Sequence, residues 1–481
     1  MVVFLVVKMG NSKMVANVKL KTKGLFGSRA MDLTKGPILS TLIKFSIPII
    51  LASLLSHLYG TVDSLMLALF VSDEAVGSVG ATNAIRNAIT SLFSGLGVGV
   101  SIVMGKCVGA KDKKNATETA STSMLLGMFG GTAVALIALF FTRPFLVLMG
   151  TPQGLLEDAI LYMVVVSLGS PITLTTGFLG GILRASGDTK SPFLHSSIGG
   201  LLNVVFNAFF IIVLRMQVLG VALATILSQS VVLVLQFFKV FKERELYHVT
   251  IKTLRIYRDK LAKIAIFGIP SGINSMLTGL SHVVVQGTVN TFGEIGATGS
   301  SVANQIDYVG VFSGGVNSAA SVFFSQNLGA KKMDRFKKVL KTAILLNVVL
   351  TTSLSLLTIL FARPLLGIFS SDPKVIEYAV VKIIMLVSSY VVLETHNILA
   401  SAVRVLGKPI VSMMVAITCS VLFKVVWLLT IYHLLPTPYM LYACYPISRV
   451  LFLMVILPIC ISVFKKKQKQ INKELLQDNK V

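Results

Sequence analysis

The chain has 481 residues, of which 54% are hydrophobic and only 13% charged, and its mean hydropathy is +0.82. A soluble protein carries roughly twice that charge, so water is excluded as the solvent for most of this surface. The formal charge of +24 would suit nucleic acid, but its placement along the chain assigns it instead to membrane topology.

Apolar runs of about 20 residues are long enough to cross a bilayer as helices. Alternating strands of the barrel type are absent from the sequence pattern, so the expected fold is all-α and integral to the membrane. In chain order, a leading segment (1–41) precedes spans expected at 42–70, 78–105, 119–141, 158–178, 192–214 and 218–240. A basic linker (242–263) follows, then spans at 264–290, 300–328, 342–361, 376–400, 410–432 and 438–464, and a basic tail (465–481). The twelve spans form an N-lobe (42–241) and a C-lobe (264–464). Met1 to Val7 is apolar but too short to span and lacks the layout of a cleaved signal peptide. Met31-Asp32-Leu33-Thr34 reads as a natural start, so residues 1–30 are a tail or an overcalled start and receive no function.

Of the 44 Lys and Arg, 36 fall in the leading segment, the five connections on its side and the tail, counting Lys44 and Lys239 at the adjoining span ends. That asymmetry predicts cytoplasmic termini and a multi-pass protein of the cell (plasma or inner) membrane. Attraction to anionic lipid is a secondary effect of the same charges, and no nucleic-acid partner is expected. Cys107, Cys419, Cys444 and Cys460 form no close-spaced pair and read as small core residues, with no metal site and no cofactor.

Short motifs recur 220 residues apart. Gly109-Ala110-Lys111 returns as Gly329-Ala330-Lys331, Phe141-Thr142-Arg143-Pro144 as Phe361-Ala362-Arg363-Pro364, and Arg184-Ala185-Ser186-Gly187 as Arg404-Val405-Leu406-Gly407. Ile47-Pro48 and Ile269-Pro270 correspond at 222. An even number of spans separates the copies, so the halves are parallel repeats with a pathway expected between them. Gly95, Gly97, Gly99 and Gly105 in the second span predict close helix approach.

Charged side chains inside a bilayer are costly and retained mainly where they act. In the first half one acid falls well inside a span, Asp63, with Tyr59 one turn before it on the same face. Enclosed by apolar helices, such a carboxylate suits binding of a proton or a small cation; a structural Asp paired with a neighbouring helix is the alternative. Amide pairs four apart, Asn83 with Asn87, Asn203 with Asn207 and Gln286 with Asn290, each present two polar groups on one helical face, suited to a polar cavity or to interhelical hydrogen bonds. In the second half the acids within spans are Asp307, a cavity candidate, and Glu394, expected near the cytoplasmic end of its helix and solvated there. No P-loop, nucleophile elbow or zinc motif is present, so the chain is not expected to be an enzyme.

Pro48 followed by Leu58-Tyr59-Gly60-Thr61-Val62-Asp63-Ser64 resembles the first helix of multidrug and toxic compound extrusion (MATE) transporters. So do the two Gly-Ala-Lys turns, Arg184-Ala185-Ser186-Gly187-Asp188-Thr189-Lys190 and Ile306-Asp307, across residues 31–464. The resemblance implies a V-shaped, twelve-helix exporter that exchanges external H⁺ or Na⁺ for cytoplasmic organic cations; the expected partners are cationic amphipathic small molecules and membrane lipids, and the expected state is a monomer. It implies that Asp63 couples the ion, with Na⁺ near it where sodium is used, that Pro48 is a conformational hinge, and that Asn203 belongs to the ion cluster. Many members carry a second Asp where this chain has Asn207. The seventh helix has Gln286 and Asn290 without an acid, which favours the DinF-like branch. A flippase for lipid-linked saccharide precursors is the alternative, and would show a broader cationic cavity, for which Arg86 is the first half's candidate.

Overall fold

The computed structural model describes residues 30–478, so the reading of residues 1–30 lies, all but its last residue, outside it. Twelve helical units follow the twelve expected spans. The first six are α1 (Ile38–Phe70), α2 (Asp73–Ala81 continued by Asn83–Gly109), α3 (Lys113–Leu148), α4 (Gln153–Leu168 and Ser170–Ala185), α5 (Lys190–Asn207 ending in a π turn, Ala208–Val213) and α6 (Gln217–Lys242). The second six are α7 (Arg258–Asn290), α8 (Gly293–Gln305 and Val309–Gly329), α9 (Met333–Leu360), α10 (Pro373–Val387 and Tyr390–Val405), α11 (Pro409–Ala416 through a π turn, Ile417–Leu422, to Phe423–Leu429) and α12 (Pro438–Asp478). The two parts of α4 meet at 49°. Among the described residues no strand occurs. Phe140, Leu148, Leu345 and Met454 are among many large apolar side chains exposed on the outer surface, which lipid accommodates and water would not.

The 220-residue repeat is written into the backbone. Units α2 and α8 begin at Asp73 and Gly293 and end at Gly109 and Gly329; α3 and α9 begin at Lys113 and Met333; α4 and α10 end at Ala185 and Val405. The turn residues match too. Lys111 and Lys331 both have φ 57°, and Gly187 and Gly407 have φ 96° and 100°. Each such left-handed residue stops its helix by turning the next N–H back onto an orphan carbonyl: Asp112 N donates to Cys107 O at 3.0 Å and Lys332 N to Asn327 O at 2.9 Å.

The halves meet where glycines admit backbone. A Cβ on Gly95 would lie 2.0 Å from Gly272 N, and one on Gly99 2.4 Å from Ile264 O. The α2–α8 crossing is reciprocal: a Cβ on Gly109 would lie 1.9 Å from Gln326 O, and one on Gly329 2.0 Å from Lys106 O. With Gly315, whose Cβ would meet Ile50 Cγ1 at 2.3 Å, these contacts run from the terminus-bearing end to about mid-helix.

Segments outside the spans are packed more closely than their composition suggests. Arg335 donates to the carbonyls of Leu33, Lys35 and Gly36, and Met31 N donates to Gly187 O at 3.1 Å. In the linker, Tyr247 and Val249 are buried, and Tyr257 N donates to Thr122 Oγ1 at 3.1 Å. The tail is not a separate segment after residue 464. α12 runs on through Lys465–Lys469 to Asp478, because this Lys-, Gln- and Glu-rich stretch holds good helix formers and no Gly or Pro. Ile471 is buried within it.

Candidate functional site

Seven residues before the end of α1, Asp63 faces α5. Asn207 Nδ2 donates to Asp63 Oδ1 at 2.5 Å and also lies 3.3 Å from Asn203 Oδ1. Both asparagines are buried, and Asn207 Oδ1 has no partner. They share a face because they are four apart in one helix. Tyr59, one turn earlier on α1, lies against Gly200 so closely that a Cβ there would sit 1.8 Å from its ring, and its hydroxyl reaches Ser197 O at 3.4 Å. Asp63, Asn203 and Asn207 thus form one polar cluster between α1 and α5, with Tyr59 closing its terminus-facing side.

Pro48 lies within α1, which continues through it from Ile38 to Phe70. Proline removes the N–H that would bond one turn back, so this is the weakest hydrogen-bonded turn of that helix. It borders a cavity of about 300 Å³ that also touches Arg184 and Ser318.

The other amides separate. Asn83 and Asn87 are exposed and line neither the cavity of about 630 Å³ nor that of about 420 Å³; Asn83 Oδ1 accepts from Arg86 Nη2 at 3.2 Å, while Arg86 Nη1 donates to the Tyr162 hydroxyl at 2.5 Å. Gln286 lines a large cavity of the second half and accepts from Ser300 Oγ at 3.2 Å. Asn290 is exposed and serves as acceptor for Gln286 Nε2 at 3.0 Å. The pair is a hydrogen-bonded unit with one member in the cavity.

That cavity, of about 630 Å³, lies within the second half among α7, α8, α10, α11 and α12. Asp307 lines it at the break in α8, where Tyr390 donates its hydroxyl to Asp307 Oδ2 at 2.5 Å. Three cations also line it, Lys382, Lys424 and Arg449. Each falls within one of the expected spans, 376–400, 410–432 and 438–464, which the sequence does not group. They sit on three different helices, so no spacing in the chain reveals that they converge; their shared intramembrane position was the available signal.

Glu394 corrects an expectation. It is 4% exposed and not solvated, because α10 places it four residues after Tyr390 on an inward-facing turn; its Oε2 has no partner among the described residues. A further cavity of about 420 Å³ lies between the halves, lined by Phe93, Ser94, Phe178 and Arg184 from the first and Ser318 and Ser321 from the second. Among the described residues no group of three His, Cys, Asp or Glu is placed to hold a metal ion.

The arrangement is similar to solved transporters. It superposes on the outward-facing conformation of a multidrug resistance MATE family transporter of the MOP superfamily with TM-score 0.86 and 21% identity, covering 92% of this chain and 99% of that one. A MOP superfamily transporter from Pyrococcus furiosus gives TM-score 0.82 at 22% identity, over 92% and 99% of the two chains. In sequence, the chain is 25% identical over 371 residues to the "Probable multidrug resistance protein YoeA" of Bacillus subtilis, covering 76% of this chain and 80% of that one. It is also 25% identical over 394 residues to an FAD transporter of Shewanella oneidensis, covering 80% and 86%. The MatE family model matches residues 48–209 and 270–429, one copy in each half. The chain therefore belongs to the MatE family and is a multi-pass membrane transporter of the MATE type, not an enzyme.

Proposed function

We propose that this transporter exports drugs and other toxic organic compounds, organic cations among them, across the cell membrane in exchange for H⁺ or Na⁺. The observation that carries the coupling is the Asp63–Asn207–Asn203 cluster. A carboxylate held between two apolar helices by a buried amide takes up a proton or a small cation at low net cost, whereas leaving it bare there is expensive. Asn207 Oδ1, buried without a partner, supplies a second oxygen for Na⁺ beside the carboxylate.

Binding of the ion at Asp63 changes the charge between α1 and α5. Pro48, one helical stretch below, is where α1 yields. With both termini cytoplasmic, drug enters between the lobes from the cytoplasm or inner leaflet. The lobes then rock outward, and the external ion displaces the drug. Coupling requires only that ion and drug favour opposite states. The similar proteins are named for multidrug resistance and FAD transport, which supports small-molecule export over flipping of lipid-linked saccharides.

Ethidium efflux from cells expressing the protein tests this reading. Efflux should collapse when the proton and sodium gradients are dissipated together; efflux that persists without either gradient contradicts coupling.

A further inference from the structure

We propose that the 630 Å³ cavity of the second half is a binding site for an aromatic organic anion. The proposal deepens the transport reading by giving one cargo class to this cavity, and it rests on that reading only in treating the ligand as cargo.

The cavity is charged in one direction. Lys382, Lys424 and Arg449 line it and are 7%, 6% and 7% exposed. Among the described residues none of the three forms an ion pair. Their partners are neutral. Lys382 Nζ donates to Ser300 O at 3.0 Å, Ser300 Oγ at 2.8 Å and Asn304 Oδ1 at 2.6 Å. Arg449 Nη1 donates to Leu386 O at 2.5 Å and to Ser389 Oγ, and its guanidinium lies 4.8 Å from the Tyr390 ring centre. Lys424 Nζ stands 4.5 Å over the Tyr445 ring. One acid, Asp307, lines the cavity against them, already engaged by Tyr390. Counting the buried Glu394 behind the wall as well still leaves an excess of one positive charge.

Buried cations are kept where something pairs with them, and here the side chains leave one positive charge unmatched. The missing counter-charge is therefore assigned to the ligand. The depth fits a transported solute. Lys382 lies nine residues into α10 and Arg449 eleven into α12, roughly 14–17 Å along each helix from the end opposite the termini. Tyr442, Tyr445 and Phe452 add aromatic wall, against which a planar ligand stacks. The volume falls in the range of about 300–1,000 Å³ typical of small-molecule sites. An organic cation is repelled here.

Fluorescence anisotropy on the full chain in nanodiscs tests the assignment, with 6-carboxyfluorescein as the anionic probe and ethidium as the cationic competitor. Saturable carboxyfluorescein binding that ethidium does not displace is expected. Lys382→Gln and Lys424→Gln should each weaken it about tenfold or more, as loss of a charge-assisted contact does. Lys424→Arg should retain it, and Asp307→Asn should tighten it several-fold, a direction that mere structural damage does not produce. The wild-type protein supplies a readout independent of any variant's folding, since its affinity for the anion should fall as salt rises. Absence of saturable binding, displacement by ethidium, or equal affinity in folded Lys382→Gln and Lys424→Gln overturns the proposal. Ethidium efflux that depends on Asp63 would survive that outcome, so failure here is distinct from failure of the coupling reading.

Discussion

Asn207 Nδ2 meets Asp63 Oδ1 at 2.5 Å, joining α5 to α1 across 144 positions of chain. The amide donates directly to this carboxylate. Asn207→Leu removes it while keeping the volume, and gradient-driven efflux should fall by about tenfold or more, the worth of a hydrogen bond to a charged group. Initial efflux rates normalised to membrane protein check this; an unchanged rate would separate Asn207 from the ion site.

The Tyr390–Asp307 bond is a second case, with Asp307 Oδ1 already buried and unpartnered. Tyr390→Phe leaves the acid without its donor and should destabilise the protein by about 1–3 kcal/mol. The thermal midpoint of purified protein measures this, and a midpoint equal to wild type counts against the bond.

Where the halves cross, backbone meets backbone. Gly95→Val places its Cβ at the position 2.0 Å from Gly272 N, so α2 and α7 must part. Overpacking of this kind costs about 1–3 kcal/mol or more. A lowered melting temperature with intact membrane insertion is expected, whereas Gly60→Ala, in open space on α1, should be tolerated.

On the terminus-bearing face, Asp112 caps α3 through the backbone N–H of Asn115 at 3.0 Å and its side-chain amide at 2.5 Å. The backbone hydrogen bond, then the amide, holds the Asp112 carboxyl below its ordinary range. A lowered value stabilises the fold above the unfolded carboxyl pKa of about 3.9, and the benefit is lost as pH falls through the lowered value. Asp112→Ala should cost about 0.5–2 kcal/mol at neutral pH, with the difference from wild type shrinking in acid. A pH series of thermal midpoints checks both magnitude and sign.

Much of the fold was legible because lipid imposes a simple rule: about 20 apolar residues for each crossing. The interruptions were less so. Ile306–Tyr308 breaks α8, and Thr82 breaks α2, without a proline to mark either. The Asp63–Asn203–Asn207 grouping was readable from one intramembrane acid and an i, i+4 pair. Glu394 was misplaced because distance from a helix end does not say which way a side chain points. Lys382, Lys424 and Arg449 converge from three helices, and only tertiary packing brings them to one wall. The repeat shows the same division. The copied turns at Lys111 and Lys331 build the scaffold, while Asp63, Asp307, Lys382, Lys424 and Arg449, uncopied at that offset, distinguish the halves.

The most direct test of coupling is ethidium transport in proteoliposomes under separately imposed proton and sodium gradients, comparing wild type with Asp63→Asn. Wild type should transport under at least one gradient, and Asp63→Asn, equally folded and reconstituted, should transport under neither. Undiminished gradient-driven transport by Asp63→Asn would contradict the assignment of the coupling ion to Asp63.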